Sequence, residues 1–182
     1  MPAGSARVSI IILNYNRTAD TIACLDSLAA AGVLNPVVHV VDNGSTPAEA
    51  DRLAEHCRTL PVVRFHPNQQ NLGFAEANNR VLEEVLASDE ADQVLLLNND
   101  TVVEPGFLEA LQAGLDPSAG VEMVAARMLK FSNPEEVDNL GLVLFKSGFS
   151  LLRRTPGQPL IGPCAGCGLY TAHLLRTLKK ET

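Results

Sequence analysis

The chain has 182 residues, 46% of them hydrophobic, with a mean hydropathy of +0.10, figures that suit one globular domain with a sizeable core. A formal net charge of -7 and a pI near 5.0 argue against a nucleic-acid surface, which needs clustered Lys and Arg to neutralise phosphates. Aromatic residues make up 4% and Trp is absent, so neither an aromatic cage nor an interfacial aromatic belt is indicated.

Arg7 to Leu13 is a β-branched apolar run and predicts a central strand buried on both faces. Asn14-Tyr15-Asn16-Arg17 breaks it, and Thr18 is placed to cap a helix carrying Ile22, Leu25, Leu28 and Ala29 at helical spacing. Gly32 ends that helix, and Val37 to Val41 predicts the second strand. Asp42-Asn43-Gly44-Ser45 is a turn. Thr46-Pro47-Ala48-Glu49 has the residues of a capping box with Pro at the first helical position, opening a helix to about Cys57. Val62 to Phe65 predicts a third strand, and His66 to Asn71 a polar loop. Gly73 to Leu86 predicts a third helix with Phe74, Val81, Leu82, Val85 and Leu86 inward. Val94 to Leu97 is a fourth buried strand, ending in Asn98-Asn99-Asp100. Glu104-Pro105 starts a helix to about Leu115, and Val121 to Ala126 is a fifth strand. Short strands, turns and one helix-start cue at Ser132-Asn133-Pro134-Glu135 follow, then a last strand and helix from near Leu169.

Four strand–helix alternations with short connections predict an α/β domain with a parallel, doubly wound sheet. Ligands in such sheets collect beyond the carboxyl ends of the strands. No apolar run approaches the roughly 20 residues needed to span a bilayer, and Met1 to Ala6 lacks the features of a signal peptide. The expectation is a cytoplasmic protein, with peripheral contact at the inner membrane face left open. Of the four cysteines, Cys164 and Cys167 form a CxxC without a second ligand pair, and reduced, partly buried thiols are the expected state.

Each of the first four strands ends in a polar cluster: Asn14 to Arg17, Asp42 to Ser45, Asn68 to Gly73, and Asn98 to Asp100. Any one of them is adequately explained as a turn. Together on one sheet edge they carry complementary chemistry. Asp42 can accept from the donor edge of a base, and asparagines both donate and accept. Gly73 before a helix lets backbone N–H groups approach a phosphate. Asp100 is a hard oxygen ligand for Mg²⁺ or Mn²⁺, whose shell is usually completed by water and substrate phosphates. The first turn holds no glycine and the chain holds no P-loop lysine motif, which removes the dinucleotide-binding and P-loop alternatives.

Val8 to Arg17 (VSIIILNYNR), Val41 to Ser45 (VDNGS), Asn71 to Asn79 (NLGFAEANN) and Leu95 to Thr101 (LLLNNDT) resemble, in order and spacing, family-two glycosyltransferases of the GT-A fold. The nearest resemblance is to their rhamnosyltransferase-like branch, and Gly162 to Arg176 is similar to the acceptor-side segment of that family. The resemblance implies one GT-A-type domain over 1–182, with a Rossmann-like, mostly parallel sheet, helices on both faces and an incomplete C-terminal end. Residues 7–127 would form the nucleotide-binding half and 128–182 part of the acceptor side. It also implies inverting transfer of a sugar from dTDP-rhamnose or a UDP-sugar to a hydroxyl of a cell-envelope polysaccharide or lipid-linked glycan. Leu13, Asn14, Asn16, Asp42, Asn71, Gly73, Asn78, Asn98 and Asn99 would line the nucleotide, and Asp100 would hold the metal. The family's general base lies in an acidic motif downstream of the acceptor segment. Here the chain reaches Lys179-Lys180-Glu181-Thr182 without one, so no base is assigned. The competing reading is a nucleotide-sugar-binding module without transfer. A sugar-1-phosphate nucleotidyltransferase is disfavoured because its Gly-rich first loop is missing.

Overall fold

The computed structural model describes residues 6–33 and 36–180, with the side chain of Lys180 left aside. Strand β1 (Val8–Asn14) is followed by helix α1 (Thr18–Ala30), β2 (Val37–Asn43), α2 (Pro47–Arg58), β3 (Val63–Asn68), α3 (Phe74–Ser88), β4 (Gln93–Asn98) and α4 (Phe107–Ala113). Short strands come next: β5 (Met123–Ala125), β6 (Met128–Lys130), β7 (Asn133–Asn139), β8 (Leu142–Leu144) and β9 (Ser150–Leu152). Strand β10 (Cys167–Thr171) and helix α5 (Ala172–Lys180) complete the described chain.

The main sheet runs β3-β2-β1-β4-β10-β5. The first four strands are mutually parallel, whereas β10 lies antiparallel between β4 and β5. Alternation along β1 explains the two layers. Ile10 and Ile12 face a core with Cys24, Leu25 and Leu28 of α1, Leu53 and Cys57 of α2, and Leu108 and Leu111 of α4. Ile11 faces the opposite core with Ala77, Val81 and Val85 of α3 and Leu175 of α5. All three isoleucines are 0% exposed, and each such burial contributes roughly 1.5–3 kcal/mol. The remaining strands pair as two separate hairpins, β6–β7 and β8–β9.

Helix α1 ends as expected at Gly32, which has φ 74°. Val33 N–H donates to Leu28 O and Gly32 N–H to Ala29 O, each at 3.1 Å, forming a Schellman motif whose flanking Val33 and Leu28 share one core.

Several local expectations are corrected. Thr18 is the first residue of α1 and not its cap; its hydroxyl donates to Glu49 O across the helix pair at 3.0 Å. Glu49 does not close a capping box, because its carboxylate accepts the Thr18 N–H at 3.2 Å. Two local motifs are thus replaced by one contact between helices. Phe74 is 49% exposed, since the inner stripe of α3 starts at Ala77. Gly106, with φ 82°, delays α4 to Phe107. The cue at Ser132 to Glu135 opens no helix. Asn133 begins β7, where Pro134 is tolerated because the two-stranded pairing is irregular there.

On the α3 side of β2, His39 is 1% exposed and stacks on His66 with ring centroids 5.2 Å apart. His39 Nδ1 lies 3.0 Å from His66 Nε2, so one nitrogen carries the proton that the other accepts. Burial, then His66, hold the His39 imidazolium down to about 4, with Arg64 adding to the effect and Glu90 opposing it. His66 is also lowered, chiefly by burial, with Glu84 opposing. Below about pH 6.5 the unfolded chain binds a proton that folded His39 refuses until about pH 4. Stability therefore falls through that window, by about 3 kcal/mol in all. Urea midpoints across pH 7.5 to 4 should show this slope, and His39→Phe should flatten it; an equally steep profile in the variant would assign the slope to other groups.

Candidate functional site

Sheet register sets the polar strand ends side by side. Asn14 is level with Asp42, Asn43 with Asn68, and Leu13 with Asn98. The order β3-β2-β1-β4 reverses chain direction of growth between β1 and β4, so Asn14 and Asn98 flank the switch point where open α/β sheets bind ligands.

Behind that edge runs a buried relay. Asn99 Nδ2 donates to Thr21 Oγ1 at 3.0 Å, and Thr21 donates to Asn14 Oδ1 at 2.8 Å. Asn14 Nδ2 then donates to Asp42 Oδ1 at 2.8 Å. Ser45 completes the carboxylate's shell, its hydroxyl donating to Oδ1 at 2.5 Å and its N–H to Oδ2 at 3.2 Å. Thr21 and Asn14 are 0% exposed and Asp42 is 1% exposed. A chain of donors ending on an anion polarises each member in turn and holds the loops after β1, β2 and β4 in one arrangement. Asn16 adds a surface tie: in the left-handed region at φ 53°, its N–H donates to Ser45 Oγ at 2.9 Å and its Oδ1 accepts Thr46 N–H at 2.8 Å. With two donors on Oδ1 and one on Oδ2, Asp42 retains acceptor capacity on Oδ2.

A second cluster shapes the loop before α3. Asn43 Oδ1 accepts from Asn68 Nδ2 and Leu72 N–H, both at 3.1 Å, and Asn43 Nδ2 donates to Asn71 Oδ1 at 3.0 Å. Asn71 Oδ1 also accepts Gly73 N–H at 2.8 Å. Gly73 has φ 80°, and a Cβ there would meet no atom within 4 Å, so its glycine serves backbone conformation and open approach rather than packing. Asn78 Nδ2 bonds Phe74 O in its own helix at 2.8 Å.

A cavity of about 930 Å³ opens at the β4 end, lined by Asn98, Asp100, Arg127, Lys130, Asp138 and Cys164 among others. Of the candidate residues, only Asn98 and Asp100 line it. The others lie on the β1–β2–β3 side, joined to it through Asn99 and Thr21. The candidate set is therefore an extended edge, with the cavity at one end.

Asp100 is exposed and forms no ion pair or side-chain hydrogen bond among the described residues. No group of three or more His, Cys, Asp or Glu able to hold a metal occurs among them. Glu104 and Asp138 also line the cavity, but without a group of three or more metal-holding side chains the carboxylates fit a Mg²⁺ or Mn²⁺ ion that takes other ligands from phosphates and water, not a metal caged by protein alone.

Burial pushes Cys24 up to about 12, with Cys167 and Asp100 adding to it, and burial and Cys164 push Cys167 to about 12. Cys164 accepts from Asn139 Nδ2 at 2.8 Å and all four cysteines are free. The CxxC packs the floor of the cavity.

Thr21 and Ser45 were not among the sequence-derived candidates, yet they connect them. Thr21 could have been noticed as a polar residue on the apolar face of α1, and Ser45 as the last residue of the Asp42 turn. Arg127 and Lys130 carried no sequence signal; tertiary packing brings them to the cavity. Carbonyl groups of Gly166 and Cys167 accept Asn98 N–H at 2.9 Å and Ala126 N–H at 3.2 Å, which sets the β5–β6 connection beside Asp100.

The sheet order and this edge define an α/β fold of the GT-A glycosyltransferase type. The chain aligns over 97% of its length, at 18% identity and a TM-score of 0.66, with 48% of the mannosyltransferase PcManGT from Pyrobaculum calidifontis, solved in complex with GDP-Man and Mn²⁺. Over 95% of its length, at 19% identity and a TM-score of 0.66, it aligns with 49% of TarS 1–349 from S. aureus. Residues 9–178 match Glycosyl transferase family 2, and the chain belongs to that family. Among curated proteins it is 28% identical over 155 residues to galactofuranosyltransferase GlfT2 of Mycolicibacterium smegmatis, and 26% identical over 157 residues to GlfT2 of Mycobacterium tuberculosis. It spans 23% and 24% of those two relatives, with 80% of its own length covered in each case.

Proposed function

We propose that this chain is the donor-binding part of an inverting glycosyltransferase that moves a sugar from a nucleoside diphosphate to an acceptor hydroxyl. The observation that carries this reading is the unpaired Asp100 carboxylate at the mouth of a cavity, coupled through Asn99, Thr21 and Asn14 to Asp42. In this reading residues 7–127 hold the nucleotide and 128–182 begin the acceptor side. Asp42 is read as the residue that holds the base, with Leu13, Asn14 and Asn16 shaping its pocket. Asn71, Gly73 and Asn78 line the ribose side, and Asn98 and Asn99 border the diphosphate. Asp100 would hold Mg²⁺ or Mn²⁺, which when bound neutralises charge on the leaving diphosphate. Arg127 lines the cavity without a carboxylate partner among the described residues and would supply further cationic help for that charge, whereas Lys130 is paired with Glu136.

The acceptor proton must pass to a base. No described residue is assigned that task, and Glu181 lies outside the described residues. The donor is read as dTDP-rhamnose or a UDP-sugar, and the acceptor as a cell-envelope polysaccharide or lipid-linked glycan. Rhamnosyl chemistry is supported by the NLGF and LLLNND strings, whereas the curated relatives are named for galactofuranosyl transfer. No helix among the described residues is long and apolar enough to cross a membrane. The proposed location is cytoplasmic, with contact at the inner membrane face left open.

Isothermal calorimetry with a panel of dTDP- and UDP-sugars and Mn²⁺ tests the reading. Binding of at least one donor, weakened by chelator, is the expected result. If none binds, with or without metal, both the transferase and the binding-module readings fall.

A further inference from the structure

We propose that the β8–β9 hairpin is a docking element for an anionic lipid surface, presenting the cavity beside Asp100 to an acceptor held in that surface. The last clause rests on the transferase reading; the docking itself does not.

Charge distribution along the chain is the first observation. Residues 1–138 hold eight Lys or Arg against twenty Asp or Glu, whereas residues 139–180 hold six Lys or Arg and no acid. Two of those six turn back on the fold, Arg176 onto Asp89 at 2.6 Å and Lys179 onto Glu83 at 3.2 Å. Lys146, Arg153 and Arg154 remain around the hairpin, and none of the three pairs with a carboxylate among the described residues. Arg153 Nε donates to Gln158 O at 2.9 Å, a contact that leaves its charge uncompensated.

The second observation is apolar exposure on the same element. Phe149 is 73% exposed and Leu151 60%, with Phe145 and Leu144 also open to solvent. The tip is ordered rather than frayed. Phe145 N–H donates to Phe149 O and Gly148 N–H to Phe145 O, both at 2.9 Å, with Gly148 at φ 84° closing the turn. Two aromatic rings are thereby held at one end of a ribbon whose base carries Arg153 and Arg154. Leu152, at the end of β9, also lines the cavity, so the ribbon and the site share a wall.

Aromatic groups that enter the acyl boundary beside cations that meet headgroup phosphates make the chemistry of an interfacial anchor. A second copy of the hairpin fits poorly as occupant. Pairing two copies would bring six cations together without one acid.

Flotation of the 182-residue chain with vesicles tests the proposal without nucleotide present. Phosphatidylcholine vesicles containing about one third phosphatidylglycerol should bind the chain, and pure phosphatidylcholine should bind it at least about tenfold less. The K146E/R153E/R154E variant and, separately, the F149S/L151S variant should each lower partitioning about tenfold or more. Lys146, Phe149, Leu151 and Arg154 are exposed and Arg153 is half-buried, and circular dichroism checks that both variants fold. Failure to bind anionic vesicles, equal binding to neutral ones, or unchanged binding in either variant would overturn the proposal. So would a dimer in light scattering that the F149S/L151S change dissolves. Donor calorimetry on the same variants without lipid should be unchanged. Loss of donor binding in the parent chain would sink the transferase reading while leaving the vesicle result standing.

Discussion

If Asp100 holds the metal as proposed, Asp100→Ala should remove the metal-dependent part of nucleotide-sugar binding, with a loss of affinity in Mn²⁺ of at least about 100-fold, more than changes to groups that merely orient metal ligands produce. The third strand-end residue of Asn98-Asn99-Asp100 is the only carboxylate of that motif, and it is exposed and unpaired at the cavity mouth. In the proposed reading the diphosphate's metal would lose its anionic ligand from that motif, and the described residues hold no group of three or more His, Cys, Asp or Glu to replace it. Because Asp100 makes no ion pair or side-chain hydrogen bond, the variant should unfold within about 0.5 kcal/mol of the parent, as surface substitutions do. Asp100→Asn separates charge from shape: it should lose nearly as much affinity in Mn²⁺ and little in chelator. The decisive comparison is calorimetry of parent and variant in each condition. Unchanged Mn²⁺-dependent affinity in Asp100→Ala would move the metal elsewhere.

Gly44→Ala should be the most damaging single-methyl change at the site. Gly44 has φ 77°, and a Cβ there would lie 2.4 Å from Gln70 C, 2.6 Å from Gln70 Cα and 2.7 Å from Asn71 N. All three are backbone atoms, so no side chain can swing away. The loops after β2 and β3 must separate, taking Asn43 from Asn71 and disturbing Ser45, which completes the Asp42 shell. Left-handed strain and displaced backbone together should cost about 2–4 kcal/mol. Gly32→Ala is the control, since Gly32 shares a similar φ of 74° but has no atom within 4 Å of the added Cβ. That variant should lose only about 1 kcal/mol. Thermal unfolding of both, with donor calorimetry, checks the contrast. Equal destabilisation would show that conformation alone matters, and the close approach of the two loops would lose its structural role.

The parts legible in the sequence share one property: each is set by a local period or a local backbone demand. The Arg7 to Leu13 run reads as a strand buried on both faces because apolar residues fill both alternating sets, and Ile11 does face a different core from Ile10 and Ile12. Gly32 reads as a helix end because only the left-handed region closes that motif. Misreadings arose where a short polar motif had two uses. Glu49 could serve its own helix or reach Thr18, and packing of α1 against α2 selected the latter. Ser132 to Glu135 could open a helix or a ribbon, and pairing with β6 decided for the ribbon.

At the candidate site, the strand ends were visible as polar clusters, but their joining was not. Thr21 links Asn99 to Asn14 only because α1 packs where its hydroxyl meets both. Asp100 itself keeps the place at a strand end that its motif indicated, while the cavity around it is built by residues far along the chain. By itself, the sequence determined the parallel β/α order, the faces of the helices and the polar carboxyl edge, since these follow from side-chain periodicity and turn chemistry. The tertiary structure alone decided that β10 enters antiparallel between β4 and β5, setting Leu169 beside Leu95 and Val124. Local periodicity records which face of a strand is apolar, but not which distant strand completes its hydrogen bonds, and the cavity's wall of Arg127, Lys130, Asn139, Leu152 and Cys164 depends on that choice.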